Sequence, residues 1–150
     1  MTRTAPRRPS LAAANARRLL TGAAVGGHVG AVVAVGVAGA IAGRTAALSA
    51  ALGAVLALAF SIVGHAVQVA VADAPVERAL VAALASYGIR VGMLGVALAA
   101  VLANADSFAW LQRIPLVAGT LSVVVAWLAA EIWVFSHLRV GVFDFPDDAP

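Results

Sequence analysis

Five residues carry chemistry that an apolar chain does not supply by default: Arg90, Glu131, His65, His28 and Tyr87. Arg90 stands near the middle of a long apolar stretch, ALVAALASYGIRVGMLGVALAAVLAN, residues 79–104. A guanidinium there is costly unless it is paired, and intramembrane charges are structural anchors or functional groups. Glu131 is the one acid inside any apolar stretch, and it lies on the next one. An Arg90–Glu131 ion pair is therefore expected across neighbouring helices, with His65 or Tyr87 completing its hydrogen bonds. Such a pair fixes helix register. A proton or ion relay is the functional alternative, since acid and histidine chains mark such pathways. His28 and His65, on different stretches, also raise haem ligation, but a lone histidine in a polar cluster is more often a hydrogen-bonding core residue. Only Glu131 offers carboxylate oxygen at depth, so no metal site is expected, and no cofactor is expected either. No phosphate loop, nucleophile elbow or HExxH run is present, so the chain is not expected to be an enzyme.

The elements that must position these residues are four apolar runs, 19–43, 45–72, 79–104 and 115–138. Each exceeds the about 20 residues a helix needs to cross the hydrocarbon. In lipid each satisfies its own backbone only as a helix. Arg44, residues 73–78 and residues 105–114 connect them. Connections this short predict an all-α integral membrane protein of four antiparallel transmembrane helices in up-down-up-down order. The transmembrane domain, 19–138, is flanked by a disordered basic arm, 1–18, whose residues 10–18 suit a short interfacial helix. An acidic tail, 139–150, follows. At 1.5 Å per residue, Arg90 lies roughly 16 Å from the inner end of its span, His28 roughly 13 Å, Tyr87 roughly 12 Å, and Glu131 and His65 roughly 10 Å. The five share one slab in the inner half.

Composition agrees. The 150 residues are 63% hydrophobic and 11% charged, with a mean hydropathy of +0.99. Soluble domains carry about a quarter charged residues. There is no cysteine, so disulfides and thiolate ligands are excluded. All ten basic residues are arginine. Seven of them (Arg3, Arg7, Arg8, Arg17, Arg18, Arg78 and Arg139) fall on one side of the expected topology, and Arg44 and Arg113 on the other. The positive-inside rule then puts both termini in the cytoplasm of a bacterial cell. A basic arm beside a span sets orientation and touches anionic lipid, and no nucleic-acid partner is expected. Small residues recur at four-residue spacing: Gly22, Gly26 and Gly30 in the first run, Gly53, Ala57 and Ser61 in the second, Gly88 and Gly92 in the third. Such rows let helix backbones approach closely, within one chain or between copies.

From Leu52 onward the chain resembles actinobacterial forms of the ATP synthase protein I family. The likeness lies in GAVLALAFSIVGHAVQ (53–68), SYGIR (86–90), FAW (108–110) and VVVAWLAAEIWVFSH (123–137), with a short acidic tail after them. It covers about two thirds of the chain, and relatives carry other residues where Arg90 and Glu131 stand. The resemblance implies a non-enzymatic four-helix protein of the bacterial plasma membrane that assists assembly of the rotor ring of the F-type ATP synthase, with rotor subunits as partners. A small transporter or channel component is the alternative.

Overall fold

The computed structural model describes residues 10–138. The basic arm before Ser10 and the acidic tail after Leu138 lie outside the described residues, as does Arg139 in the orientation argument. All regular structure among the described residues is helical: α1 (Leu11–Val71), α2 (Val76–Ala103), one 3₁₀ turn (Ala105–Phe108) and α3 (Arg113–His137). Each of the three α-helices is long and apolar enough to cross a bilayer.

Three helices stand where the spacing predicts four, because the first two expected spans form one 61-residue element. Straight, it would extend roughly 90 Å. It is not straight. Gly43 takes φ 78° and ψ −171°, a region open to glycine alone. A Cβ on Gly39 would sit 3.3 Å from that of Ala47, although residues eight apart in one helix are roughly 12 Å apart. The ends also meet: the Ser10 hydroxyl donates to the Asp73 carboxylate beyond the far end of α1. So α1 is a hairpin with a first arm, 11–42, and a second arm, 44–71. One residue suffices for the reversal, which is why no separate loop divides them. The expected interfacial helix over 10–18 becomes the opening turns of α1, capped by Ser10 Oγ accepting from the Ala13 amide at 3.1 Å.

The remaining breaks also follow from local chemistry. Residues 72–75 end in Pro75, which precedes α2 and cannot continue α1 as a donor. Asn104 ends α2 and turns its amide back onto the Ala100 carbonyl at 2.9 Å. Gln112 precedes α3, and Pro115 falls in the first turn, where its missing N–H has no partner to lose.

α3 lies in the groove between the two arms of α1. Gly22 faces Val134, Gly26 faces Ala126 and Ala130, and Gly30 faces Ser122 and Ala126, so the first arm runs antiparallel to α3. On the second arm Gly53 faces Leu116 and Thr120, Gly119 faces Ala50, and His65 meets Glu131, so that arm runs parallel to α3. Backbone approaches of this kind replace a hydrophobic driving force in lipid by dispersion. Ala54, Ala57 and Val123 form the buried centre, with Ala31 and Leu58 against it. Ser49 Oγ accepts from the Gln112 amide at 2.9 Å and so anchors the start of α3 to the second arm. α2 is different. It lies antiparallel beside the second arm and touches α1 and the 3₁₀ turn, but not α3. Gly88 and Gly92, expected to pack helices, have nothing within 4 Å of a built Cβ.

Candidate functional site

Glu131 pairs with His65, not with Arg90. Their side chains meet at 3.0 Å between Nε2 and Oε1. The expected Arg90–Glu131 pair needs α2 against α3, and the second arm of α1 lies next to α2 instead. Similar depth was necessary for that pairing but not sufficient.

The His65–Glu131 contact is a hydrogen bond whose donor depends on the imidazole tautomer. His65 Nδ1 stands 3.0 Å from the Ser61 carbonyl oxygen, which only accepts. Nε2 faces the carboxyl oxygen either as an N–H or as a lone pair. In the first case Nε2 donates to the carboxylate; in the second a neutral acid donates to neutral imidazole. Trp127, 3% exposed, walls the pair, its ring centroid 5.1 Å from that of His65. The indole Nε1 is buried without a hydrogen-bond partner. Gly27 makes room for this indole: a Cβ there would lie 2.8 Å from Trp127 Cε3.

Arg90 occupies the other side of the second arm, one residue along from His65. Its guanidinium lies against the backbone of Gly64, where any side chain would collide with it. Its Cζ stands 5.1 Å over the Phe60 ring. That contact contributes about 0.5–1 kcal/mol, rising to about 2 when desolvated. Placing arginine at a helix centre in the bilayer costs about 2.5–3.5 kcal/mol, so the ring alone does not offset it. Nε is buried without a partner, and no described carboxylate forms an ion pair with Arg90.

The structure thus splits the expected cluster. His65 and Glu131 form one unit between α1 and α3. Arg90 joins α1 to α2, and Tyr87, 64% exposed, lines the cleft beside it. His28 belongs to neither: it is exposed on the first arm, its Nδ1 2.7 Å from the Ala24 carbonyl of its own helix. Of the glycines, Gly22, Gly26, Gly30 and Gly53 meet α3. Sequence reasoning passed over Ser86, which is 3% exposed with its hydroxyl unpartnered. The signal was available, since Ser86 and Arg90 are four residues apart and share a helix face. Comparison with protein-family models, with curated proteins and with solved structures gives no match.

Proposed function

We propose that the protein is a non-catalytic accessory of the membrane that works by helix–helix docking, and that its partners are the rotor subunits of the F-type ATP synthase during ring assembly. The partner rests on the resemblance over residues 52–150. The mode rests on one observation: Gly88, Gly92 and Gly95 all lie on α2 with open space beyond them, while Gly22, Gly26, Gly30, Gly53 and Gly119 of α1 and α3 are used within the chain. Gly88 and Gly92 are two residues either side of Arg90, which faces α1, so their row points roughly opposite to it. A row of small residues facing lipid invites a partner backbone.

In this reading the two arms of α1 cross the bilayer separately, so that with α2 and α3 the chain makes four antiparallel passes. The arginine asymmetry puts both ends on the cytoplasmic face of a bacterial plasma membrane. The test is a Gly88→Leu/Gly92→Leu double variant. It retains the native helicity, fails to co-purify the rotor subunit and lowers the yield of intact ring. Full co-purification and full ring yield in that variant would reject the proposal.

A second reading, a small transporter or channel component, draws on the hydrogen bond between His65 and Glu131, two groups that can exchange a proton. It requires proton or ion flux in vesicles containing only this protein, abolished by Glu131→Gln.

A further inference from the structure

Between the second arm of α1 and α2 lies a cleft of ≈ 180 Å³, lined on its polar side by Gln68, Ser86, Tyr87 and Arg90. Every one of these side chains can donate a hydrogen bond, and no carboxylate lines the cleft. Two of the donors are stranded. Ser86 is 3% exposed, and its Oγ has no partner. Arg90 Nε is buried and equally unpartnered. Buried donors without acceptors call for an explanation, and donors gathered round a cation call for an oxyanion.

The position of the cleft identifies the source of that anion. It runs from Arg90 to Val71, the last residue of α1, beside the polar connection that begins with Asp73. From Val71 to Gly64, where the guanidinium lies, is roughly 10 Å along the helix. The cleft therefore opens at the level where the hydrocarbon meets the headgroups. An arginine at this depth reaches toward the interface, and the bilayer thins locally to meet it. Beside the cleft, Tyr87 and Leu94 stand seven residues apart on one exposed flank of α2, 64% and 46% accessible, with Leu94 on the deeper side of Arg90. They offer an acyl chain a continuous track leading out of a headgroup-sized space.

We infer that this cleft binds the phosphate of an anionic phospholipid, with Arg90 and Ser86 donating to its oxygens. The lipid supplies the counter-anion that the chain's described residues do not, and it ties α2 to the second arm of α1. This is independent of which protein docks on the opposite face of α2.

The experiment uses the full chain in neutral detergent, with native mass spectrometry reading bound lipid. Phosphatidylglycerol is compared with phosphatidylcholine, and with glycerol 3-phosphate as a soluble phosphate without chains. Phosphatidylglycerol is expected to be retained roughly tenfold more strongly than phosphatidylcholine. Arg90→Gln brings the two to parity. So does Gly64→Ala, which keeps the cation but fills its seat. Arg17→Gln/Arg18→Gln, on the first arm, leaves the preference intact. If Arg90→Gln does not fold by far-ultraviolet circular dichroism, Ser86→Ala carries the test with a loss of about threefold. Parity of the two lipids on the native chain overturns the proposal. So does glycerol 3-phosphate binding as well as the lipid, or a preference untouched in the folded variants. Displacement of the lipid by a transmembrane peptide bearing a single glutamate, at equal concentration, also overturns it, because the site would then be built for a protein carboxylate.

Discussion

α3 and α2 are similar in length and composition, yet one is locked into the molecule and the other leans against it. α3 sits between two arms, its Gly119 against the Ala50 backbone and its Val123 fully buried. α2 buries little, and Leu80, Val81, Leu84, Ile89 and Val96 are all more than half exposed. Apolarity does not separate them, because in lipid an apolar surface gains nothing by leaving solvent. Close backbone approach separates them. Where glycine meets a carbonyl or a small side chain of another helix, the two stay together. Where it meets open space, the helix is available to something else.

The largest expected effect breaks that contrast at α3. Gly119→Val places a side chain into the Ala50 backbone, which cannot step aside as a flexible side chain would. Overpacking costs about 1–3 kcal/mol and occasionally more, and the upper end is expected here. The same substitution at Gly92 meets nothing and should stay within about 0.5 kcal/mol. Reversible unfolding in mixed micelles measures both. Equal losses at the two positions would end the distinction between a locked and a leaning helix.

Next in size is the reversal in α1. Gly43→Ala puts a Cβ on a backbone with φ 78° and ψ −171°, at a cost of about 1–3 kcal/mol. Nothing lies within 4 Å of that position, so the loss would come from conformation and not from a clash. A D-alanine introduced there by chemical ligation should restore most of the stability. If D- and L-alanine behave alike, the hairpin does not depend on this dihedral angle.

The His65–Glu131 pair separates the two regions by chemistry. It joins the second arm of α1 to α3 and leaves α2 out. Glu131→Leu strands Nε2 of His65 and should cost about 1–3 kcal/mol. Adding His65→Leu should recover part of it, giving a coupling of about 0.5–2 kcal/mol in a double-mutant cycle. Additive losses would mean that the contact contributes nothing specific.

How much of this was legible in the residues follows from the same physics. Helical class, apolar runs and short connections are one-dimensional properties, and the alternating direction of the helices follows from them. That His65 and Glu131 share one level was also legible, because rise per residue needs no knowledge of packing, and the two side chains do meet. Which helix neighbours which was not. A helix apolar all round has no polar face to turn away, so its pattern does not show which side is buried. The assumption that sequential helices pack led to Arg90–Glu131. The actual contacts depend on α3 entering the groove between the arms, which Gly26, Gly30, Gly53 and Gly119 permit jointly from three segments of chain. Each glycine is visible alone, but their convergence is not. The four-residue row at Gly88 and Gly92 reads the same as that at Gly22 and Gly26, yet only the latter meets a partner within the chain.

The smallest expected effect sharpens this last point. Gly88→Ala and Gly92→Ala in α2 encounter no atom within 4 Å, and both positions are helical. Alanine loses less backbone freedom than glycine on entering a helix, so each change should stabilise the chain by up to about 0.5–1 kcal/mol. At Gly26 the same substitution would bring a Cβ to 2.8 Å from the Ala126 carbonyl oxygen, and the gain in propensity would be outweighed by the loss of approach. The sign of the change, not its size, is the measurement: stabilising in α2, destabilising in the first arm. A glycine that stability alone does not favour leaves room for a close-packed backbone, and a docking surface on α2 would use that room. Should Gly88→Ala destabilise the isolated protein as Gly26→Ala does, α2 already has its partner inside the chain, and the outward row has no docking role to fill.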